Sequence, residues 1–372
     1  MSKKGISKAT KLQAPFPYFG GKKSVADIIW KALGQPKHYM EPFCGSAAVL
    51  LARPDHDPSV HVESICDKDG FIANAWRSIK YSPDETAKYC DWPVIHADLS
   101  ARKKVLIENE ERLLENLIAD DEWHDAKLGG YWIWAASCWI GSGLTSPSQI
   151  PHLTDAGMGV HKISKIPHLA NAGKGVHKIS QRPHLADAGK GVHKISQIPH
   201  LGNAGKGEEV DLNSPYNTNI YAWFRALAER LRYVRIVNGD WKRICGGNWQ
   251  NKLGPVGIFC DPPYAVADRD QNIYHHDDTT SVAHEVREWC IERGKLESYR
   301  IVLAGYEEHE ELLLHGWTAQ NWKAQGGYGS TKRNADSKAI GSENAKREIL
   351  YFSPHCLNNK KNEMPLFALE NA

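Results

Sequence analysis

Short apolar runs alternate along the chain with stretches of helical periodicity, a pattern that predicts an α/β fold. The clearest run, Val256–Cys260, is apolar apart from one glycine and predicts a buried strand. Asp261 and the prolines at 262 and 263 end this strand, because proline removes a backbone donor and fixes φ. Further strands are predicted at about 38–41, at Val60–Asp67, within 234–241, at Tyr299–Ala304, and as a hairpin of Trp317–Trp322 with Arg347–Phe352.

Helical periodicity separates these strands. Ser24 is the predicted N-cap of the first helix, whose apolar stripe contains Val25, Ile28, Ile29 and Leu33. The other predicted helices are a short one after 45–47, then Phe71–Ile79, Lys103–Ile118, the tryptophan-rich Tyr131–Ile140, Tyr221–Tyr233 and Val282–Arg293.

The loop Asp261-Pro262-Pro263-Tyr264 carries the most specific candidate chemistry. In open α/β sheets, loops at the carboxyl ends of the strands bind ligands. The Asp261 carboxylate and the Pro262 carbonyl can accept the two hydrogens of an aromatic amine, and Tyr264 can stack on the ring that bears it. Taken alone, the segment is equally compatible with an ordinary strand-to-loop turn.

Two glycine-containing turns add a candidate ligand pocket. Phe19-Gly20-Gly21-Lys22 leads into the first helix, and Gly45-Ser46-Ala47 joins a short strand to a helix. Small residues let a ligand lie against the backbone, but the second turn lacks the Gly-x-Gly-x-x-Gly spacing of a pyrophosphate site. Asp67 ends the next strand about 20 residues later, where an acid binds ribose hydroxyls or caps the following helix.

The composition is that of a globular protein with a core. The hydrophobic fraction is 41%, and the net charge of +2 is too small to indicate a polyanion partner. Eight scattered cysteines without a Cys-x-x-Cys pair predict buried thiols, with neither a disulfide framework nor a zinc site. The basic segment Met1–Lys11 lacks the apolar stretch of a signal peptide, and no run is long enough for a membrane span, so a cytosolic location is expected.

A sixteen-residue unit is repeated between Ile150 and Gly207. Three full copies begin at 150, 166 and 182, and a partial fourth begins at 198. The segment contains eight Lys or Arg against two Asp, a surplus of six that leaves −4 on the rest of the chain. A solvated loop without function and a basic strip that binds phosphates both remain open. A histidine–metal array is less favoured, because no carboxylate or thiol stands at ligand spacing.

The order of the motifs resembles one known family. Phe-Gly-Gly-Lys at 19–22, Glu-Pro-Phe-Cys-Gly-Ser at 41–46, the strand-end Asp67 and Asp-Pro-Pro-Tyr at 261–264 follow the order found in the Dam-type (D12 class) DNA adenine-N6 methyltransferases. Asn-Gly-Asp-Trp at 238–241 looks like the acid–aromatic step that this family places before Asp-Pro-Pro-Tyr.

The match has gaps. Ala283 stands where the family has aspartate, the turn at 139–144 lacks the asparagine of the family's DNA-contacting loop, and the repeats lie outside its pattern.

The resemblance implies a Rossmann-like methyltransferase fold, with a mixed seven-stranded sheet and helices on both faces, that binds S-adenosylmethionine and double-stranded DNA without a metal or a membrane. It divides the chain into a disordered basic lead (1–14), a catalytic domain (15–81 and 220–353), an inserted target-recognition region (82–219, with the repeats at 150–207) and a C-terminal tail (354–372).

The implied reaction is direct attack of a flipped adenine amine on the methyl group, so no general base with a strongly tuned pKa is expected, and the sulfonium is expected near Glu41 and Asp261. The implied catalytic segment is Asp261, Pro262, Pro263 and Tyr264. The implied cofactor contacts are Tyr18, Phe19, Gly20, Gly21, Lys22, Glu41, Phe43, Gly45, Ser46, Asp67, Asp240 and Asp261. The candidate nucleic-acid contacts are Trp139, Ser142, Lys162, Lys174, Lys178, Arg182, Lys190 and Lys194.

Several alternatives remain open. The amine could be cytosine N4, the substrate could be RNA, or the chain could be an inert DNA-binding protein that carries repeats on a degenerate methyltransferase body. The sequence leaves the oligomeric state open, with a monomer or a weak dimer as the options. It also leaves open whether the protein, expected in a bacterial or phage-infected cytoplasm, serves a restriction–modification system or a phage counter-defence.

Deletion of one repeat unit, 166–181, tests the role of the repeats. If they bind phosphates, the deletion preserves binding of S-adenosylmethionine while weakening or redirecting DNA methylation, because fewer cations contact the backbone. Methylation measured over a range of salt concentrations checks this. Unchanged site choice and salt dependence would support the inert-loop interpretation.

Overall fold

The computed structural model describes residues 12–18, 21–94, 96–139, 144–145, 220–248, 252, 254–263, 279–322 and 348–357. The helices are α1 (Ala26–Leu33), α2 (Ala48–Leu51), α3 (Gly70–Tyr81), α4 (Pro83–Cys90), α5 (His96–Glu108), α6 (Glu110–Ala119), α7 (Ala126–Cys138), α8 (Ile220–Leu231), α9 (Lys242–Cys245) and α10 (Thr279–Gly294), with 3₁₀ segments at Lys23–Val25 and Glu307–His315. The strands are β1 (His38–Glu41), β2 (Val62–Asp67), β3 (Val234–Asn238), β4 (Val256–Cys260), β5 (Tyr299–Gly305), β6 (Thr318–Asn321) and β7 (Ile349–Phe352).

These strands form one mixed sheet in the order β3-β2-β1-β4-β5-β7-β6. Every neighbouring pair from β3 to β5 is parallel, whereas β7 is antiparallel to both β5 and β6. The predicted hairpin of 317–322 with 347–352 is therefore confirmed as β6 and β7. An α/β fold built on a seven-stranded mixed sheet, as predicted, is compatible with a Rossmann-like architecture.

The central strand β4 is buried on both faces. Its alternate residues Val256, Ile258 and Cys260 pack with α9 and α10 in one apolar cluster. Gly257 faces the other side, where an added Cβ would come 2.6 Å from Pro36, the residue that follows α1 by three positions. A strand covered in this way needs apolar or small residues throughout, which explains the continuous run in the sequence.

Contacts divide the chain into two compact units, one of which contains the sheet. The described residues of the other unit are 12–17, 74–94, 96–139, 144–145 and 220–232. Within that helical unit, α4 and α5 pack on α7, and α8 packs on α4. Gly129 and Gly130 permit close packing on α7, because added Cβ atoms would lie 2.6 Å from Ser78 Oγ and 2.5 Å from Tyr89 Cβ.

Two local predictions are wrong. The first helix does not begin with a cap at Ser24: a 3₁₀ turn closed by Val25 N–H on the Lys22 carbonyl comes first, and α1 starts at Ala26. The predicted helix 103–118 is two helices. Asn109 interrupts it, with its N–H donating to the carbonyl of Leu106 and its side chain to that of Val105.

All eight cysteines are free and buried, which confirms the prediction of reduced thiols. In the described part of the chain, no helix is both long and apolar enough to cross a bilayer.

Two leucine variants, one in the core of the sheet and one on the surface, test the assignment of the core. Leu303→Ala, at a fully buried position of β5, is expected to lower the free energy of unfolding by about 2–5 kcal/mol because it leaves a cavity. Leu314→Ala, at a position that is 84% exposed, is expected to change it by less than about 0.5 kcal/mol. Urea denaturation followed by tryptophan fluorescence measures both, and equal effects would contradict the assignment of the core.

Candidate functional site

The candidate site lies where the order of the strands reverses. β1 pairs with β2 on one side and with β4 on the other, so the connections from β1 and β4 leave in opposite directions. Such a switch point opens a crevice outside the carboxyl ends of the strands. Glu41 ends β1, Asp67 ends β2, and Asp261 follows β4 directly, so parallel pairing brings three predicted site residues to the same edge of the sheet.

The strongest contact at this edge is an ion pair between Lys22 and Asp261. Lys22 Nζ lies 2.9 Å from Asp261 Oδ2 and 3.7 Å from Glu348 Oε2. The Lys22 side chain is 3% exposed and that of Asp261 is 20% exposed. A buried ammonium is stable only with charged or polar partners, so the Gly-Gly-Lys turn and the start of the Asp-Pro-Pro loop hold each other in place.

The Gly45 turn is shaped by backbone conformation. Gly45 has φ of 43° and Ala47 has φ of 47°, both in the left-handed region. A side chain at Gly45 would overlap the ring of Tyr18, so glycine is required here both for its conformation and for space. Gly21 donates its N–H to the Tyr18 carbonyl and lies near Ser46. The two glycine turns predicted from the sequence therefore lie against each other.

Asp67 is tied to the Gly45 turn. Its Oδ2 accepts the Gly45 N–H at 2.8 Å, and its Oδ1 accepts the Asp69 N–H at 3.0 Å. Asp69, not Asp67, caps α3 by accepting the N–H of Phe71, which removes the capping role considered for Asp67. A carboxylate has about four acceptor positions, so Asp67 retains capacity for hydroxyl donors.

Glu41 is buried beneath this edge. Its Oε2 accepts the hydroxyl of Tyr39 at 3.0 Å and the N–H of Leu50 at 3.1 Å. Burial raises the pKa of the Glu41 carboxyl to about 8, and the negative charges of Asp261 and Glu63 act in the same direction.

Burial likewise raises the pKa of Asp67 to about 7, with the charge of Asp69 adding to the effect. The expectation from the sequence concerned a general base, whereas both of these carboxyls accept hydrogen bonds from neighbouring backbone N–H groups. The sequence could not reveal these shifts, because they come from the depth of each carboxyl below the surface.

Phe43 and Asp240 lie on the parts of the edge next to β1 and β3. The Phe43 ring is 6.4 Å from the ring of Trp241 at an angle of 32°. Asp240 is exposed, and its Oδ1 accepts the N–H of Lys242 at the start of α9. Asn238 binds the carbonyl of Asp67 through Nδ2 at 3.1 Å, which joins the ends of β2 and β3.

The remaining predicted residues lie partly inside and partly outside the described part of the chain. Pro262 and Pro263 follow Asp261 in the described loop. Trp139, in the helical unit, lies under the Lys103 ammonium, which is 4.3 Å from the ring, and burial lowers the pKa of Lys103 to about 8. The residues outside the described part of the chain are Phe19, Gly20, Ser142, Tyr264, Lys162, Lys174, Lys178, Arg182, Lys190 and Lys194.

Glu348 and Trp322 belong to the site but were not predicted from the sequence. Glu348 immediately precedes β7, and its carbonyl accepts the Trp322 N–H at 3.0 Å. The Trp322 ring lies 5.9 Å from Lys22 Nζ. The available signal was the hairpin itself: β7 runs antiparallel to β5, so its first residue starts at the edge where the parallel strands end.

Comparison with known proteins finds no matching family model and no matching curated protein. Among the residues that can be placed, no cluster of three or more His, Cys, Asp or Glu side chains is arranged to hold a metal ion.

The buried Glu41 carboxyl generates a pH-dependent prediction. Its pKa is higher in the folded protein than in the unfolded chain, so the folded state retains a proton that the unfolded state loses, and stability falls as the pH rises from about 5 to 8. Glu41→Gln accepts the same hydrogen bonds without a charge. The difference in unfolding free energy between Glu41→Gln and the unaltered protein is therefore expected to shift in favour of the variant by at least about 1 kcal/mol from pH 5 to pH 8.

Urea denaturation at pH 5 and pH 8 measures this difference. The exposed Glu297→Gln is the control, and its difference from the unaltered protein should not depend on pH. A flat difference for Glu41→Gln as well would show that the carboxyl ionises normally in the folded protein.

Proposed function

We propose that this protein is an S-adenosylmethionine-dependent DNA methyltransferase that modifies the N6 amine of a flipped adenine. The observation that carries the proposal is the Lys22–Asp261 ion pair of 2.9 Å at the sheet's switch point, directly before Pro262 and Pro263. Four motifs that resemble those of the Dam-type family are distant in sequence, and at least one residue of each lies at this edge.

The charges at this edge suit a cationic methyl donor. Asp261 and Glu348 supply two carboxylates against the single ammonium of Lys22 within this group, whereas Glu41, with a pKa of about 8, is mostly protonated at neutral pH. Excess carboxylate favours a positive ligand such as a sulfonium. The left-handed turn at Gly45 is proposed to let the donor lie against the backbone, and Asp67, which accepts the Gly45 N–H, has remaining acceptor capacity for ribose hydroxyls.

S-adenosylmethionine would supply an electrophilic methyl group, and Lys22, Glu41, Gly45 and Asp67 would hold it. The chain's own contribution is to position and polarise the amine. Asp261 accepts one amine hydrogen, and the Pro262 carbonyl accepts the other without competition from an amide at Pro263. These acceptors direct the nitrogen lone pair away from the loop, so the reaction is accelerated by orientation and electrostatics.

Double-stranded DNA is the proposed substrate. An amine inside a duplex must be rotated out of the stack at a cost of a few kcal/mol, and Tyr264 is the proposed stacking partner of the extruded base. Trp139, Ser142 and the basic repeat residues are proposed to contact the nucleic acid, and the proposed compartment is the cytoplasm of a bacterial host. Cytosine N4, RNA and an inert binding module remain alternative outcomes of the test below.

Asp261→Ala tests the catalytic role. Duplex DNA is incubated with S-adenosylmethionine carrying a labelled methyl group and is then digested to nucleosides. The unaltered protein is expected to yield N6-methyldeoxyadenosine, and Asp261→Ala is expected to lower the rate by at least about 100-fold, because the main acceptor for the amine is lost. The exposed Glu297→Ala should retain the full rate.

Each alternative gives a different result. Label in N4-methyldeoxycytidine would change the substrate base, and label only in an RNA competitor would change the nucleic acid. Near-full adenine methylation by Asp261→Ala would contradict the proposed role of the loop. Absence of transfer by the unaltered protein, with DNA binding retained, would support the inert module.

A further inference from the structure

Glu348 is a buried carboxylate that lies beside the Lys22–Asp261 ion pair. It is 7% exposed, and its carboxylate approaches the Lys22 ammonium, which is already paired with Asp261. Its main chain is fixed by the hydrogen bond from Trp322 and by the pairing of Ile349 with Gly305. A second carboxylate on one buried ammonium carries its own desolvation cost, so a gain in stability alone does not account for this arrangement.

Charge sharing provides that explanation. With a single carboxylate partner, a buried ammonium is drawn wholly onto it and weakens it as an acceptor for other donors. Lys22 stands between two carboxylates, at 2.9 Å from Asp261 and 3.7 Å from Glu348. The second partner withdraws part of the ammonium's charge from Asp261 and also restrains the lysine from the side of β7.

We propose that Glu348 is a positioning residue, which acts through Lys22 to set the orientation and the acceptor strength of Asp261. This inference rests on the proposed function, because it assigns Asp261 the task of accepting an amine hydrogen. Glu348 itself touches neither the amine nor the methyl donor in this scheme. Its removal is therefore expected to change the rate of the reacting complex more than the binding of the substrates.

A double-mutant cycle on stability tests the charge sharing without any activity. Glu348→Gln is expected to lower the urea midpoint of the unaltered protein, because it removes a partner of a buried ammonium. In the Lys22→Met background the same change is expected to raise the midpoint, because it removes a buried carboxylate that has lost the charge of Lys22. Lys22→Gln provides a second background if Lys22→Met folds poorly.

The control for this cycle is Glu297→Gln, which alters an exposed carboxylate and should leave the midpoint unchanged in both backgrounds. A reversal of sign for Glu348→Gln supports charge sharing through Lys22. A change of the same sign in both backgrounds, or no change in the unaltered protein, would overturn it.

The kinetic part tests the positioning role. Glu348→Gln is expected to lower kcat about tenfold and to change the KM for DNA less than about twofold, as for an interaction that matters mainly in the transition state. Glu348→Asp retains the charge and should recover part of the loss. A rise in KM at unchanged kcat would overturn the positioning role.

The two proposals fail in different ways. If the unaltered protein transfers no methyl group but the sign of the stability effect reverses, both the proposed function and the positioning role are wrong. The charge sharing among Asp261, Lys22 and Glu348 is then still supported. If methyl transfer occurs without reversal, the proposed function stands and the inference about Glu348 is wrong.

Discussion

The candidate site depends on the ion pairs that the buried ammonium of Lys22 makes with two carboxylates. A lysine that is 3% exposed cannot keep its charge in an apolar interior without partners, and it meets carboxylates from two distant parts of the chain, Asp261 and Glu348. One charge therefore joins the loop before α1, the end of β4 and the start of β7. Movement of any of these segments would break an ion pair of Lys22 and leave a buried charge without its partner.

The topology of the sheet explains why these groups meet there. Parallel strands end at the same edge, and the reversal of order between β1 and β4 keeps their following loops apart, so a crevice opens between them. β7 runs antiparallel to β5 and begins at this edge, so Glu348, which directly precedes β7, also lies there. The left-handed conformations at Gly45 and Ala47 then turn the chain away after β1, and Asp67 holds that turn through the Gly45 N–H.

Much of the sheet could be predicted from the sequence, because burial on both faces leaves a visible mark. Val256–Cys260 had to be apolar or small at each position, and the following prolines set its end. The errors arose where a local hydrogen bond outweighed periodicity. Asn109 breaks an apolar stripe that continues on both sides of it, and the 3₁₀ turn closed by Val25 N–H on the Lys22 carbonyl moves the start of α1 past Ser24.

The electrostatic character of the site was less accessible to sequence reasoning. Motif spacing identified Lys22, Glu41 and Asp261 as residues of interest, but not which acid would pair with the lysine. The pKa of Glu41 rises because its carboxyl is buried below the edge, although the hydrogen bonds from Tyr39 and Leu50 act in the opposite direction. No spacing in the sequence conveys this depth. Glu348 was missed because an acid before a strand is common, and only the pairing of β7 with β5 gives it a place in the site.

The central claim is that a methyl donor binds at the carboxyl ends of β1 and β4. Amide hydrogen exchange measured by mass spectrometry, with and without S-adenosylmethionine, tests this most directly. The account predicts slower exchange in peptides that contain 41–47 and 261–263, and unchanged exchange in peptides from α4 to α7. Protection confined to α4–α7, or none anywhere at a saturating concentration, would contradict it.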